Sequence, residues 1–272
     1  RLRALLAVGV PIGVSGVLVI GYARVDQVIV YAIAGSRPAG LYSAVYNVLD
    51  QSHFVPLSIL TTLAPIIAAS FAVDRERMFR VVRLAAELMA VGSFGALAFA
   101  IAASSDVVTL IFGAGYRSAA PALPVLGGAF VFICFGYING NLLTVLGLQR
   151  RLLGVSLAAL VFNVAGNLVL VPAVGFMGAA WMTLLTEMLV CALSVRLILR
   201  ALERPLPWSW RIFRTAMASL LLLSVLLAVK ALGAPLLALV ATACVAYPAL
   251  LSGLRALELA DVRVLLRRET LA

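Results

Sequence analysis

Long apolar runs, most of about 20 residues or more, fill this chain, and short polar gaps separate them. About 30 Å of hydrocarbon takes about 20 helical residues at 1.5 Å each. The pattern therefore predicts eight membrane-spanning helices, at 4–34, 39–72, 84–104, 119–147, 152–172, 177–199, 212–232 and 235–254. Several of these runs exceed 25 residues, which calls for tilt, a kink or an interfacial extension. Pro11, Pro56, Pro65, Pro121 and Pro124 mark places for kinks.

The polar gaps are unequal in charge. One alternate set holds Arg1, Arg3, Arg75, Arg77, Arg80, Arg83, Arg150, Arg151, Arg196, Arg200, Arg204, Arg211, Arg214, Arg255, Arg263, Arg267 and Arg268. The other set holds only Arg37, Arg117 and Lys230, and Arg24 falls inside a span. The positive-inside rule places the rich set and both ends of this segment on the cytoplasmic side of the membrane. Composition agrees: 64% of residues are hydrophobic and 12% charged, where a soluble domain carries about a quarter charged. The net charge of +10 is thus an orientation signal scattered over five loops, which excludes nucleic acid as a partner. The reading is an all-α polytopic membrane protein of about eight transmembrane helices.

The break Glu203-Arg-Pro-Leu-Pro-Trp-Ser-Trp210 divides the chain into a six-helix lobe at 1–203 and, at 204–272, two additional helices with a cytoplasmic amphipathic tail. The last two spans are mainly Leu, Ala and Val, as expected of peripheral, lipid-facing helices. Segments 74–84 and 255–272 alternate charge with apolar residues at helical spacing, which predicts helices lying on the cytoplasmic surface with their arginines against membrane lipids. The opening Arg-Leu-Arg, with no Met, is expected of a piece of a longer protein. Cys134, Cys191 and Cys244 lie far apart within spans and His53 is the single histidine, so no metal or redox device is expected.

Chemistry should sit on the polar groups that hydrocarbon makes expensive. Arg24, Asp26, Asp50 and Gln51 flank the first hairpin, with Arg24 and Asp50 each about 16 Å from its tip by helical rise. Arg24 either forms an ion pair with Asp50 or Asp26, or lines a cavity that receives an anionic head group. Guanidinium suits phosphate because it binds it bidentately and stays charged. Glu187, beside Thr183 and Thr186, is the other deep acid and the candidate for ion coupling, or else bonds a neighbouring helix. Asn139, Asn141, Asn163 and Asn167 serve either as interhelical hydrogen bonds or as contacts to sugar hydroxyls. Glu87 is expected to pair with Arg83, four residues earlier.

Several segments carry a family resemblance. They are Arg24-Val-Asp-Gln-Val-Ile-Val with Gly35 and Ala39-Gly-Leu-Tyr-Ser-Ala-Val-Tyr46; Pro65-Ile-Ile-Ala-Ala-Ser; and Leu110-Ile-Phe-Gly-Ala-Gly-Tyr-Arg-Ser-Ala-Ala-Pro121. Two more are Asn163-Val-Ala-Gly-Asn-Leu-Val-Leu-Val-Pro172 and Gly175-Phe-Met-Gly-Ala-Ala-Trp-Met-Thr-Leu-Leu-Thr-Glu187. In order and spacing, over about residues 5–200, they resemble the second lobe of prokaryotic polysaccharide and oligosaccharide flippases, within the superfamily of multidrug, oligosaccharidyl-lipid and polysaccharide exporters.

The resemblance implies a two-lobed transporter that moves undecaprenyl-pyrophosphate-linked oligosaccharide to the outer leaflet by alternating access, with the missing N-terminal lobe of the same chain as its partner. It implies that Arg24 faces the pyrophosphate with Asp26, Asp50 and Gln51 near it; among the other polar residues, Asn139 and Asn163 are candidate substrate contacts and Glu187 is the candidate for ion coupling. A cation-coupled drug exporter of the same superfamily, or a membrane-embedded partner of polysaccharide assembly, stands as an alternative. Neither a catalytic triad nor a phosphate-cradling glycine loop occurs in the sequence, so no enzyme activity and no cofactor are expected.

Overall fold

The computed structural model describes residues 2–202 and 209–256, apart from the side chains of several residues before position 24. Among these residues the chain forms nine α-helices: α1 (Leu2–Ala34), α2 (Ser36–Ser52), α3 (Phe54–Val73), α4 (Arg75–Phe112), α5 (Ala122–Val145), α6 (Gln149–Val174), α7 (Phe176–Leu202), α8 (Trp210–Ala231) and α9 (Leu236–Gly253). A single 3-10 turn, Ala114–Ala119, joins α4 to α5. Seven stretches are long and apolar enough to span a bilayer, with Ser36–Val73 counted as one. The first predicted span lies in α1, a helix of 33 residues, so an all-helical polytopic architecture holds.

Local chemistry explains where helices stop. Gly35, at φ 90°, turns α1 into α2 in a conformation that a side chain would resist, and Gly113, also at φ 90°, ends α4. The predicted span 39–72 breaks at His53. Pro56 has no N–H for the carbonyl of Ser52, so the helix is interrupted there and α3 starts anew. Segment 74–84 is not a separate surface helix. Asp74 caps α4 by accepting from the amide of Arg77 at 2.9 Å, and the helix then runs on without interruption for 38 residues. The break at 203–208 and the tail beyond residue 256 lie outside the described residues.

Most of α1–α7 shares one apolar core, in which α5 is the most enclosed helix. Helix α6 packs against α1 on one side and α7 on the other. At its crossing with α7 the backbones nearly touch: a Cβ on Gly178 would stand 2.6 Å from the carbonyl oxygen of Leu170.

The last two helices stay largely exposed, as expected of peripheral helices, and polar contacts fasten them to α4. Helix α8 lies against α4, which has Ala98, Ala102 and Ala103 packed on Leu222, Leu226 and Leu239. It is latched there by Arg211 to Glu87 at 3.5 Å and by Lys230 to Asp106 at 2.7 Å. Lys230 also donates to the carbonyl of Ala102 at 2.7 Å. Glu87 therefore pairs across helices with Arg211 and not with Arg83 on its own helix. Helix α9 joins through Tyr247, whose hydroxyl donates to the Val91 carbonyl at 2.7 Å while its ring fills the space a side chain at Gly95 would occupy.

Gly178→Val should force α6 and α7 apart and destabilise the protein by about 1–3 kcal/mol, the usual range for overpacking. A thermal melt in detergent checks this, with Gly154→Ala, where a Cβ meets nothing within 4 Å, as the variant expected to melt close to the parent.

Candidate functional site

Three polar features lie in the interior of the α1–α7 bundle or on its α1–α2 face. The first is an ion pair. Arg24 meets Asp50 at 2.8 Å across the α1–α2 hairpin, so of the two partners allowed by spacing the structure selects Asp50. The side chain of Arg24 remains 54% exposed and that of Asp50 22%. By helical rise Arg24 lies about 15 Å from the end of α1, well inside a bilayer. Gln51 is also exposed, next to Asp50. A guanidinium at that depth and with that exposure needs cover other than hydrocarbon.

The second feature is a closed cluster around Asp26. Two residues of helix, about 200° of rotation, place Asp26 on the inner face of α1, 1% exposed, while Arg24 points outward. The hydroxyl of Tyr42 on α2 donates to its Oδ2 at 2.6 Å, and that of Thr183 on α7 does so at 3.1 Å. Tyr42 and Thr183 are themselves 3.0 Å apart, and the Gln27 amide reaches Oδ1 at 3.1 Å. Among the described residues no basic side chain pairs with Asp26. Its burial is instead offset by donors from three helices, which ties α1, α2 and α7 at one point.

The third feature is an open-sided chamber of about 460 Å³ lined by α1, α2, α3, α5, α6 and α7. Its polar wall includes Tyr46, His53, Tyr137, Asn141, Ser156 and Glu187. The interruption of helix before Pro56 brings His53 to this wall, edge-on to Tyr137 with ring centroids 6.1 Å apart. Nε2 of His53 and Oδ1 of Asn141 are buried without a hydrogen-bond partner among the described residues. Donor and acceptor capacity of this kind, left open inside a roomy cavity with a largely apolar wall, suits hydroxyl or amide groups of a ligand.

The residues expected at one site thus divide. Arg24, Asp50 and Gln51 share the exposed α1–α2 face, Asp26 sits in its own cluster, and Glu187 lines the chamber at 8% exposure. Asn163 stands apart from all three. It is 1% exposed, donates to Thr186 Oγ1 at 3.3 Å and accepts from Asn167 at 3.0 Å, so it joins α6 to α7. Asn139 faces away from the chamber and approaches Cys191 Sγ at 3.7 Å. Tyr42 and His53 were not anticipated at a site. Their signal was helical spacing: Tyr42, Tyr46 and His53 at i, i+4 and i+11, Tyr137, Asn141 and Thr144 at i, i+4 and i+7, and Glu187 with Ser194 at i and i+7. Among the described residues, no group of three or more His, Cys, Asp or Glu is placed to hold a metal.

Residues 1–121 match the family model described as polysaccharide biosynthesis protein. That stretch contains the Arg24–Asp50 pair, Asp26 and His53, while the α5–α7 wall of the chamber lies beyond it. The match agrees with the flippase-like resemblance of the sequence and supports a role in polysaccharide synthesis or export by a multi-pass membrane protein. No curated protein matches the chain.

Tyr42→Phe removes a donor to a buried carboxylate and should cost about 1.5–3 kcal/mol, the range for hydrogen bonds to charged groups. Tyr46→Phe, on the chamber wall, should cost less. Equal thermal midpoints for the two variants would show that the Asp26 cluster does not tie the helices.

Proposed function

We propose that the chain forms one lobe of a flippase that moves an undecaprenyl-pyrophosphate-linked oligosaccharide from the cytoplasmic to the outer leaflet of the bacterial inner membrane. The observation that carries this reading is the Arg24–Asp50 pair, half open at mid-membrane depth on the α1–α2 face. Such a face calls for a second membrane body across from it, supplied by another lobe of the same polypeptide or by a second copy. Between the two bodies lies a cavity into which Arg24 projects a phosphate-binding fork. The family match over this part of the chain supports glycan export over drug export.

In this scheme no covalent bond is made or broken. Arg24 holds the pyrophosphate, exchanging its bond to Asp50 for phosphate oxygens, and Gln51 stands beside it. The face then opens to one side of the membrane or the other, and the ligand biases the two states only by its differential affinity. The chamber with Glu187 couples an ion to that change, and the short neighbouring path through Thr183 and Asp26 relates ion occupancy to the tie between α1, α2 and α7. The arginine-rich ends of the spans face the cytoplasm.

The test separates a ligand contact from a structural ion pair. In cells that depend on the transporter, lipid-linked oligosaccharide is measured for Arg24→Ala, Arg24→Lys and Asp50→Asn. Loss of a bidentate charge-assisted contact worth about 1.5–3 kcal/mol weakens binding roughly 10- to 100-fold. Arg24→Ala should therefore accumulate the precursor strongly, Arg24→Lys in part, and Asp50→Asn much less, because it leaves the cation in place. Equal defects in Arg24→Ala and Asp50→Asn would reduce the pair to a structural role, and normal export with lost dye extrusion would point to drug transport.

A further inference from the structure

On the faces of α5 and α7 opposite the polar chamber lies a second cavity, of about 310 Å³, closed by α4 and by the start of α8. Its wall is almost entirely apolar and includes Val82, Phe94, Val131, Phe135 and Ile212. Asn139 and Cys191, which also line it, face each other and leave no polar group pointing inward beyond their own contact. At one end stands Arg83, exposed and without an ion pair among the described residues, because Glu87 is taken by Arg211.

Depth can be read from α4. Arg83 is one turn outside Glu87, at the arginine-rich end of the bundle, and the residues that meet α4 there, Arg211 on Glu87 and Ile212 on the slot, are flanked by the exposed stacked pair Trp210 and Phe213, whose ring centroids are 4.7 Å apart. Aromatic residues of this kind mark the head-group level. Phe94 lies 11 residues along α4 from Arg83, about 16 Å by helical rise and half of a 30 Å hydrocarbon core. The cavity therefore reaches from the head groups to the bilayer midplane, the length of one acyl chain of one leaflet.

We propose that this slot is a binding site for an anionic phospholipid of the leaflet at the arginine-rich end: one acyl chain fills the slot, and Arg83 holds the head-group phosphate. Length, apolar wall and an unpaired cation at the mouth all select this occupant. The site is distinct from the Arg24 face, and the inference does not depend on what the lobe transports. Because α5 and α7 form the wall between slot and chamber, a chain in the slot braces the helices that carry Asn141 and Glu187.

The full chain is reconstituted with a phosphatidylglycerol probe bearing a photoreactive diazirine on one acyl chain, and cross-linked peptides are mapped. One probe per chain should attach to α5 or α7 peptides bordering the slot. Arg83→Gln should lower the yield several-fold, whereas Arg150→Gln, at the same end but away from the slot, should leave it unchanged. The matching phosphatidylcholine probe should react several-fold less. Ala86→Trp, which fills the slot, should abolish the mapped adduct, and if it fails to fold the Arg83 comparison still decides. Equal yields for the two lipids, or full yield in Arg83→Gln, would overturn the proposal. So would displacement by an equimolar polyprenyl phosphate, which would assign the slot to a transported lipid.

Discussion

Hydrocarbon offers nothing for a polar group to bond with, and the arrangement of this lobe follows from that constraint. Asp26 finds Tyr42 and Thr183, Asn163 finds Thr186 and Asn167, and Tyr247 reaches a backbone carbonyl of α4. Each partner belongs to another helix or to the next turn, so satisfying these groups also decides which helices touch. Apolar packing cannot do this alone, since lipid tails solvate leucine as well as a neighbouring helix does. Close backbone approach at Gly178 adds the dispersion contacts that hold α6 and α7 once their polar groups have met.

The same constraint makes exceptions informative. Arg24 is satisfied by Asp50 yet remains half exposed, and His53 and Asn141 bring buried polar atoms to the chamber without using them. These departures lie on one side of the α5–α7 layer, and on the other side the lining is oily with a lone arginine at its rim. One pair of helices thus separates a cavity that carries polar groups from an almost wholly apolar one. Their stripes differ by only one or two positions, as between Asn139 and Asn141 on α5.

The positions of the long apolar helices were legible in the sequence, because a span of about 20 apolar residues is a signal of composition and needs no knowledge of neighbours. Counting turns also put Arg24 and Asp50 at matching depth, since both sit on one hairpin and helical rise is regular. Tertiary choices were less legible. Asp26 is two residues from Arg24 yet points to the opposite face, and its partner Thr183 is 157 residues away, a pairing that no local spacing encodes. Glu87 had an i−4 arginine at hand and took Arg211 from α8 instead, because that contact is inside the bundle whereas Arg83 leans outward. The continuity of α4 through residues 75–84 was hidden by their charge, which marks a helix end emerging from the membrane as readily as a helix lying on it.

The two latches between α4 and α8 have the same separation on both helices: Glu87 and Asp106 are 19 residues apart, as are Arg211 and Lys230. The helices run parallel in matched register, and sliding one by a turn would break both pairs at once and strand charges near opposite membrane faces. With α9 pinned to α4 by Tyr247, these three helices are tied to one another at both ends of α8 and along α9. The helix break at His53, beside the charged face of α1 and α2, lies outside this tied group, where the missing N–H of Pro56 leaves the backbone ladder open.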